Sequence, residues 1–337
     1  MGPSLSRGAG EGLTRRAALV LLAGVALPSA LAAQAQRAGQ MRRIGWLSFD
    51  SVRSDWIDAF RDGLRDLGYV EGENVAIEAR FAEGAFDRLP ALAAELVQRR
   101  VEVIVTYGDA GVRAARQATT TIPIVVAVTG DLIGPGHVAS LAHPGGNVTG
   151  QVDMSEEVST KRLQVLTEAV AIASRVAVLW NRTNAVKAAE FRALQAAGQT
   201  LKIAIRSFGI AAAADLESAF AGIGREQADA LIVLEDALTS ANQKSIVERT
   251  ASLAIPAMYH GADWVRDGSL LSYGADELAM FRHAAVYVDK ILKGAAAADL
   301  PVEQAAKFAL VINLRTAAGL KLTLPPTLLA RADEVIE

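Results

Sequence analysis

From Arg42 onward the chain alternates between two hydrophobic rhythms. Arg42–Phe49 (RRIGWLSF) is an apolar run with a polar exit, which predicts a strand. Ser54–Leu67 carries Trp56, Ile57, Phe60, Leu64 and Leu67 at helical spacing, with Ser54 as N-cap and Gly68 as stop. Asn74–Phe81 alternates as a strand, and Leu89–Arg100 returns to the helical period. Val101–Tyr107 and Ile122–Val128 are continuous β-branched runs, as expected of parallel strands covered on both faces, with a short helix at Ala110–Thr119 between them. A second cycle begins near Gly150. Helices at 155–170, Ala185–Thr200, Asp215–Arg225 and Ser240–Leu253 precede strands at Arg175–Trp180, Lys202–Phe208, Ala230–Leu234 and Ile255–Tyr259 respectively.

Strands alternating with helices of this length mean βαβ units and parallel sheets, so the fold class is α/β. Two sets of strands, split near Gly145–Gly150, predict two lobes of like architecture without sequence repeat. The last third breaks the rhythm: a strand at Leu270–Gly274, a long helix at Glu277–Leu292, a strand at Lys307–Asn313, a short helix at Arg315–Leu320, then Pro325-Pro326. Such segments can cross back between lobes and form a hinge that closes around a ligand.

The first 35 residues lie outside this rhythm. Arg15-Arg16 precede an uncharged run, Ala17–Leu27, followed by Pro28 and the small-residue sites Ala30-Leu31-Ala32 and Ala33-Gln34-Ala35. A basic region, an apolar region and an Ala-x-Ala zone in that order predict an export signal over residues 1–35. The paired arginines point to the twin-arginine route, with general export as the alternative. At about 1.5 Å per residue the apolar run reaches roughly 16 Å, about half of a membrane's hydrocarbon thickness, too short for an ordinary span.

The formal net charge is −3, and removal of the signal leaves about −5, so the composition gives no basic face for nucleic acid. The absence of cysteine excludes disulfides, thiolate metal sites, a cysteine nucleophile and an N-terminal lipid anchor. The expected product is a soluble periplasmic monomer.

In open parallel sheets chemistry gathers at the carboxyl ends of the strands. Here those ends supply Ser48, Asp50, Tyr107, Gly108, Asp109, Thr129, Asp131, Asn181, Asn184, Glu235, Asp236 and Tyr273 as candidate ligand-binding residues. Asp109 and Asp131 are expected to accept from cationic or hydroxyl groups. Tyr107 and Tyr273 are expected as apolar walls, and Asn181 and Asn184 as polar contacts from the second lobe. The same residue types also serve as turn formers and helix caps. Gly134-Pro135-Gly136-His137-Val138-Ala139 matches G-x-G-x-x-A, but Pro135 and its distance from a strand argue against nucleotide binding. His137, His143, His260 and His283 lack metal-site spacing and read as loop or surface residues, so neither a metal nor another cofactor is expected. There is no G-x-S-x-G elbow or Walker loop.

Several segments stand in a familiar order: Arg43-Ile44-Gly45-Trp46-Leu47, Gly68-Tyr69-Val70-Glu71-Gly72-Glu73-Asn74-Val75, Thr121-Ile122-Pro123-Ile124-Val125, Gly130-Asp131-Leu132-Ile133, His143-Pro144-Gly145-Gly146-Asn147-Val148-Thr149-Gly150 and Gly268-Ser269-Leu270-Leu271-Ser272-Tyr273-Gly274. Together they resemble the ABC-transporter substrate-binding proteins that include binders of tryptophan and other aromatic amino acids. The resemblance runs from about Arg42 to Ala332. It implies a type I periplasmic-binding-protein fold, with two Rossmann-like lobes, three hinge strands and a ligand in the cleft. One lobe is then 42–150 with 275–296, and the other 151–273 with 297–337. It implies no enzymatic activity, and as partners a small polar metabolite, an amino acid or related compound, and the transmembrane permease of an importer. Asp109-Ala110-Gly111 departs from the Thr-Pro-Ala common in the family, and Leu132 stands in place of Pro. An acid at 109 favours a cationic or polyhydroxylated ligand. A periplasmic sensor or ligand-presenting protein, or an enzyme using the same cleft, are the alternatives.

Overall fold

The computed structural model describes residues 1–2, 41–49 and 54–337. Residues 3–35 of the export segment and Asp50 lie outside the described residues. The first apolar runs become β1 (Arg42–Ser48), α1 (Ser54–Asp66), β2 (Val75–Phe81), α2 (Leu89–Gln98), β3 (Val103–Thr106), α3 (Gly108–Ala118), β4 (Ile124–Val126) and β5 (Val148–Val152). Helix α1 ends where expected: Gly68 takes a positive φ of 85°, and the amide of Tyr69 turns back to the Leu64 carbonyl at 2.9 Å. Strand β5, buried along its length, was not anticipated, because Gly150 and Gln151 interrupt its β-branched pattern. Gln151 is accommodated there because its amide donates to the carbonyls of Ala127 and Met280 at 3.1 and 2.9 Å.

The second cycle comprises α4 (Ser155–Ala169), β6 (Arg175–Asn181), α5 (Ala185–Leu201), β7 (Ala204–Ile210), α6 (Leu216–Arg225), β8 (Ala230–Val233), α7 (Ala237–Ala241), α8 (Gln243–Ser252), β9 (Ala257–Tyr259) and α9 (Ala262–Arg266). The single helix expected over 240–253 is two. Asp236 starts α7 early by accepting from the Leu238 amide at 2.8 Å, and Asn242 leaves helical geometry between the two. The chain then runs through β10 (Leu271–Ala275), α10 (Glu277–Leu292), β11 (Glu303–Gln304), β12 (Phe308–Asn313), α11 (Leu314–Gly319), α12 (Pro326–Leu329) and β13 (Glu334–Ile336).

Two sheets result, ordered β11-β5-β4-β3-β1-β2 and β13-β12-β10-β9-β8-β6-β7. All pairings are parallel except β10 with β12. Both belong to one compact unit, Arg42–Glu337. The first lobe's core joins β1, β3 and β4 to Met280, Phe281, Ala284, Ala285 and Val288 of α10. So α10, although late in the chain, completes the first lobe. Two further clusters cover the two faces of the second sheet. Residues 297–304 correct one expected boundary. Glu303 and Gln304 pair with Gln151 and Val152 in the first sheet, so the last crossing falls between Gln304 and Phe308, not before 297. Two residues of pairing leave almost no periodicity to read. Among the described residues no helix is long and apolar enough to cross a membrane.

Candidate functional site

Because β1–β5 run parallel in one lobe and β6–β10 in the other, the carboxyl ends within each set point one way, and those of β1, β3 and β4 face those of β6, β8 and β9. Between them lies a cavity of about 40 Å³. The first lobe lines it with Phe49, Tyr107, Gly108, Asp109, Thr129 and Gly130, and the second with Asn184, Val186, Lys187, Glu235 and Asp236. The lobes meet closely here: a Cβ on Gly130 would lie 2.7 Å from Ser155 Oγ and 3.1 Å from a Val186 methyl. On one side the cleft widens into a space of about 250 Å³ between Phe86, Asp109 and Arg113 and the second-lobe residues Asn181, Thr183 and Asn184. A third space, of about 400 Å³, lies against Trp56, His260, Gly274 and Glu277.

Nine of the expected residues line the first two cavities or adjoin them directly. Tyr107 is only 3 % exposed and packs against Phe49, Trp56 and Phe281 at ring distances of 4.8, 5.0 and 5.3 Å. Its hydroxyl is 2.6 Å from Ser48 Oγ, which holds the ring as a fixed wall. Thr129 is buried beside it. Gly108 opens α3 with φ +65°. Asp109 follows in that helix's first turn, within 2.8 Å of His137 Nε2 and 3.1 Å of Arg113. Arg116 donates to His137 Nδ1 at 3.1 Å, which places the imidazole proton on Nε2, facing Asp109. Burial opposes ionisation of Asp109, but the His137 hydrogen bond and the Arg113 charge outweigh it, so its carboxyl is held below its usual range.

On the facing lobe, Asp236 accepts from the side-chain amides of Asn181 and Asn184 at 2.7 and 2.8 Å. Asn184 also caps α5 through the Val186 amide. These three residues form one rigid polar ledge. Glu235 is half-buried and lines the cavity. Burial and the neighbouring Asp153 and Glu190 carboxylates push its carboxyl up to about 7, against the pull of Lys187 and Arg162.

Two expectations place differently. The Asp131 carboxylate accepts from the amides of Ile133 and Gly134, both at 2.8 Å, and so shapes its own loop away from the three cavities. Tyr273 stacks on Phe308, and its carbonyl accepts from Arg162 Nε at 2.6 Å, so its ring supports the hinge strands instead of walling the cleft.

Behind the ledge lies a buried charged network that strand-end reasoning missed. Glu190, wholly buried, receives Lys187 Nζ at 2.8 Å, Arg162 at 3.4 Å and the Ser159 hydroxyl. Burial would lower the Lys187 pKa, but Glu190, Glu235 and Asp153 more than reverse this and raise it. The signal was in the sequence: Lys187 and Glu190 share a helical face with Phe191 and Leu194, where charge is out of place unless paired. The histidines also correct an expectation. His137 and His260 are buried at 8 and 7 % exposure, and His260 lies 3.7 Å from Glu277 and within 4.8 Å of Glu235, residues distant in sequence.

Comparison with known proteins places this geometry. A tyrosine-binding protein of Clostridioides difficile (strain R20291) is 24 % identical over 274 residues, covering 81 % of this chain and 77 % of that protein. A conserved domain protein from Vibrio cholerae superposes with a TM-score of 0.82 at 26 % identity, covering 88 % of this chain and all of that one. An ABC domain from Streptococcus pneumonia, solved in complex with L-Trp, gives a TM-score of 0.83 at 23 % identity, with the same coverage. The two lobes therefore have the type I periplasmic-binding-protein fold. The family model for ABC transporter substrate binding proteins matches residues 46–336. The chain belongs to that family, whose members bind substrates and do not transform them.

Proposed function

We propose that this protein captures a small polar metabolite of the amino-acid class between its two lobes and delivers it to an ABC importer's membrane subunits. The observation that carries this reading is a cleft walled by both lobes, in which the space of about 40 Å³ against Phe49 and Tyr107 opens into one of about 250 Å³, with polar groups already held in place (Asp109, Asn184, Asp236). Rigid donors and acceptors lower the ordering cost of binding. The tyrosine-binding relative and the L-Trp-bound neighbour support an amino acid as the ligand class. Contacts from both lobes make closure the state that a ligand selects. We take the lobes as 42–152 with 277–304 and 154–275 with 308–336, joined by three crossings, and the closed form as the one presented to the permease.

The working compartment in this reading is the periplasm. Residues 1–35 are the export signal, and the mature chain acts as an untethered monomer. Arg15→Lys with Arg16→Lys blocks export if the twin-arginine route is used, and unchanged export of that variant removes the route.

A ligand that binds only the native state raises Tm by mass action. A thermal-shift screen of the mature chain against amino acids, organic acids, sugars and purines should give at least one amino acid that binds by calorimetry and reduces the radius of gyration in solution scattering. A screen in which only sugars or purines bind refutes the ligand class. Turnover of the bound compound, followed by mass spectrometry, refutes the binding-protein reading.

A further inference from the structure

A second constellation lies where the cleft meets the hinge. Glu235 stands just beyond β8, His260 just beyond β9, and Glu277 is the first residue of α10. Each offers one ligand atom, and the three atoms all lie within 4.8 Å of one another. His260 Nε2 and Glu277 Oε1 are 3.7 Å apart. Donors about 2.1 Å from a tetrahedral ion are roughly 3.4 Å apart, so small side-chain rotations would complete the geometry. The side chains of His260 and Glu277 are only 6 and 15 % exposed, yet both border the space of about 400 Å³, which leaves room for water in the remaining coordination positions.

The donor chemistry is selective. One imidazole with two carboxylates suits Zn²⁺, Mn²⁺, Co²⁺ or Ni²⁺, whereas Ca²⁺ and Mg²⁺ favour all-oxygen shells. The surroundings also favour a cation. Behind Glu235, the three carboxylates Asp153, Glu190 and Glu235 share two cations, Lys187 and Arg162. Glu277, brought in by the first lobe's α10, adds another carboxylate to this enclosed, acid-rich corner.

We propose that Glu235, His260 and Glu277 form a site for a first-row divalent transition-metal ion that fastens the two lobes together. Two ligands belong to the second lobe. The third belongs to the helix that completes the first, so a bound ion acts across the hinge. It reinforces the closed arrangement whichever metabolite occupies the cleft.

The test uses the tag-free chain, stripped with chelator and titrated with ZnCl₂ and MnCl₂ under calorimetry and equilibrium dialysis. The expected result is one ion per chain, with a smaller radius of gyration in scattering. His260→Ala and Glu277→Gln should each weaken binding by roughly tenfold or more, since even outer-shell changes cost that much. Asp131→Asn, remote from the cluster, should leave it unchanged. Melting curves establish that each variant folds, and the rim position of Glu277 keeps the test readable if His260→Ala does not. The proposal is overturned if no saturable binding occurs, or if a variant carrying both His260→Ala and Glu277→Gln binds as the parent does. It is also overturned if the parent takes no ion while the cluster variants lose amino-acid binding, because the cluster then receives a ligand ammonium group. Ion and metabolite are titrated separately, so failure here leaves the proposed function standing.

Discussion

Glu190→Gln removes one charge from the interior while keeping the side chain's shape. In the parent, Glu190 is wholly buried and bound by Lys187 at 2.8 Å, Arg162 at 3.4 Å and Ser159. Glutamine can keep the Ser159 contact but cannot balance the two cations. Removing one partner of a buried pair costs about 3–5 kcal/mol, because the remaining charge stays in a poorly solvating interior. The lower end applies here. Arg162 keeps the Tyr273 carbonyl, and Lys187 still feels Glu235 and Asp153. At about 2–4 °C per kcal/mol for domains of this size, a loss of about 3 kcal/mol lowers Tm by roughly 6–12 °C. Scanning calorimetry on the ligand-free mature chain reads this directly. Adding Lys187→Met should recover part of the loss, since no ammonium then remains buried without its carboxylate. A folded Glu190→Gln protein melting within about 2 °C of the parent would refute the argument, as would strict additivity in the double variant.

Four further outcomes follow from the geometry. Asp236→Ala removes the acceptor of both Asn181 and Asn184 and the α7 cap; calorimetry should show ligand affinity reduced by at least about tenfold, with about 1 kcal/mol lost in stability from the cap. Asp131→Asn should leave that affinity unchanged while loosening the 131–134 turn, detected as faster amide exchange there, because its carboxylate serves only local amides. Gly274→Val would drive a side chain into the His260 carbonyl at the end of the adjoining strand β9, so Tm and closure should both suffer, by about 1–3 kcal/mol or more in stability. Asp109, whose carboxyl is held low, adds stability that is present above the ordinary aspartate range and lost as pH falls through its depressed folded value; Asp109→Asn should flatten the acid limb of a Tm-against-pH curve below about pH 4.

The alternating rhythm made most strands and helices legible, because buried parallel strands and amphipathic helices must repeat at about 2 and 3.6 residues. What escaped was short or polar: β5, hidden by Gly150 and Gln151; β11, two residues long; and β13 at the chain's end. The strand-end rule located the cleft at Tyr107–Asp109, Thr129, Asn184 and Glu235-Asp236. It could not separate a carboxylate that faces the cleft from one that turns back on its own loop, as Asp131 does, since both follow a strand and precede a turn. Glu235, His260 and Glu277 were illegible as a set for a different reason. They stand beyond β8, beyond β9 and at the start of α10, with other elements in between, and only folding brings their side chains together.

The late position of α10 and β11 in the chain has a consequence for biosynthesis. The first lobe's strands β1–β5 leave the ribosome early, but the helix that covers their core and the strand that closes their edge arrive only after residue 277. Until then Phe281 and its neighbours are missing, and Trp46, Trp56 and Tyr107 lack a face of their packing. The second lobe's central strands are therefore translated before the first lobe can mature. Nascent chains stalled before 277 should remain protease-sensitive across 42–152, and those released after 304 should resist. A pathway that exports only finished proteins would hold this one until nearly its whole length has been made.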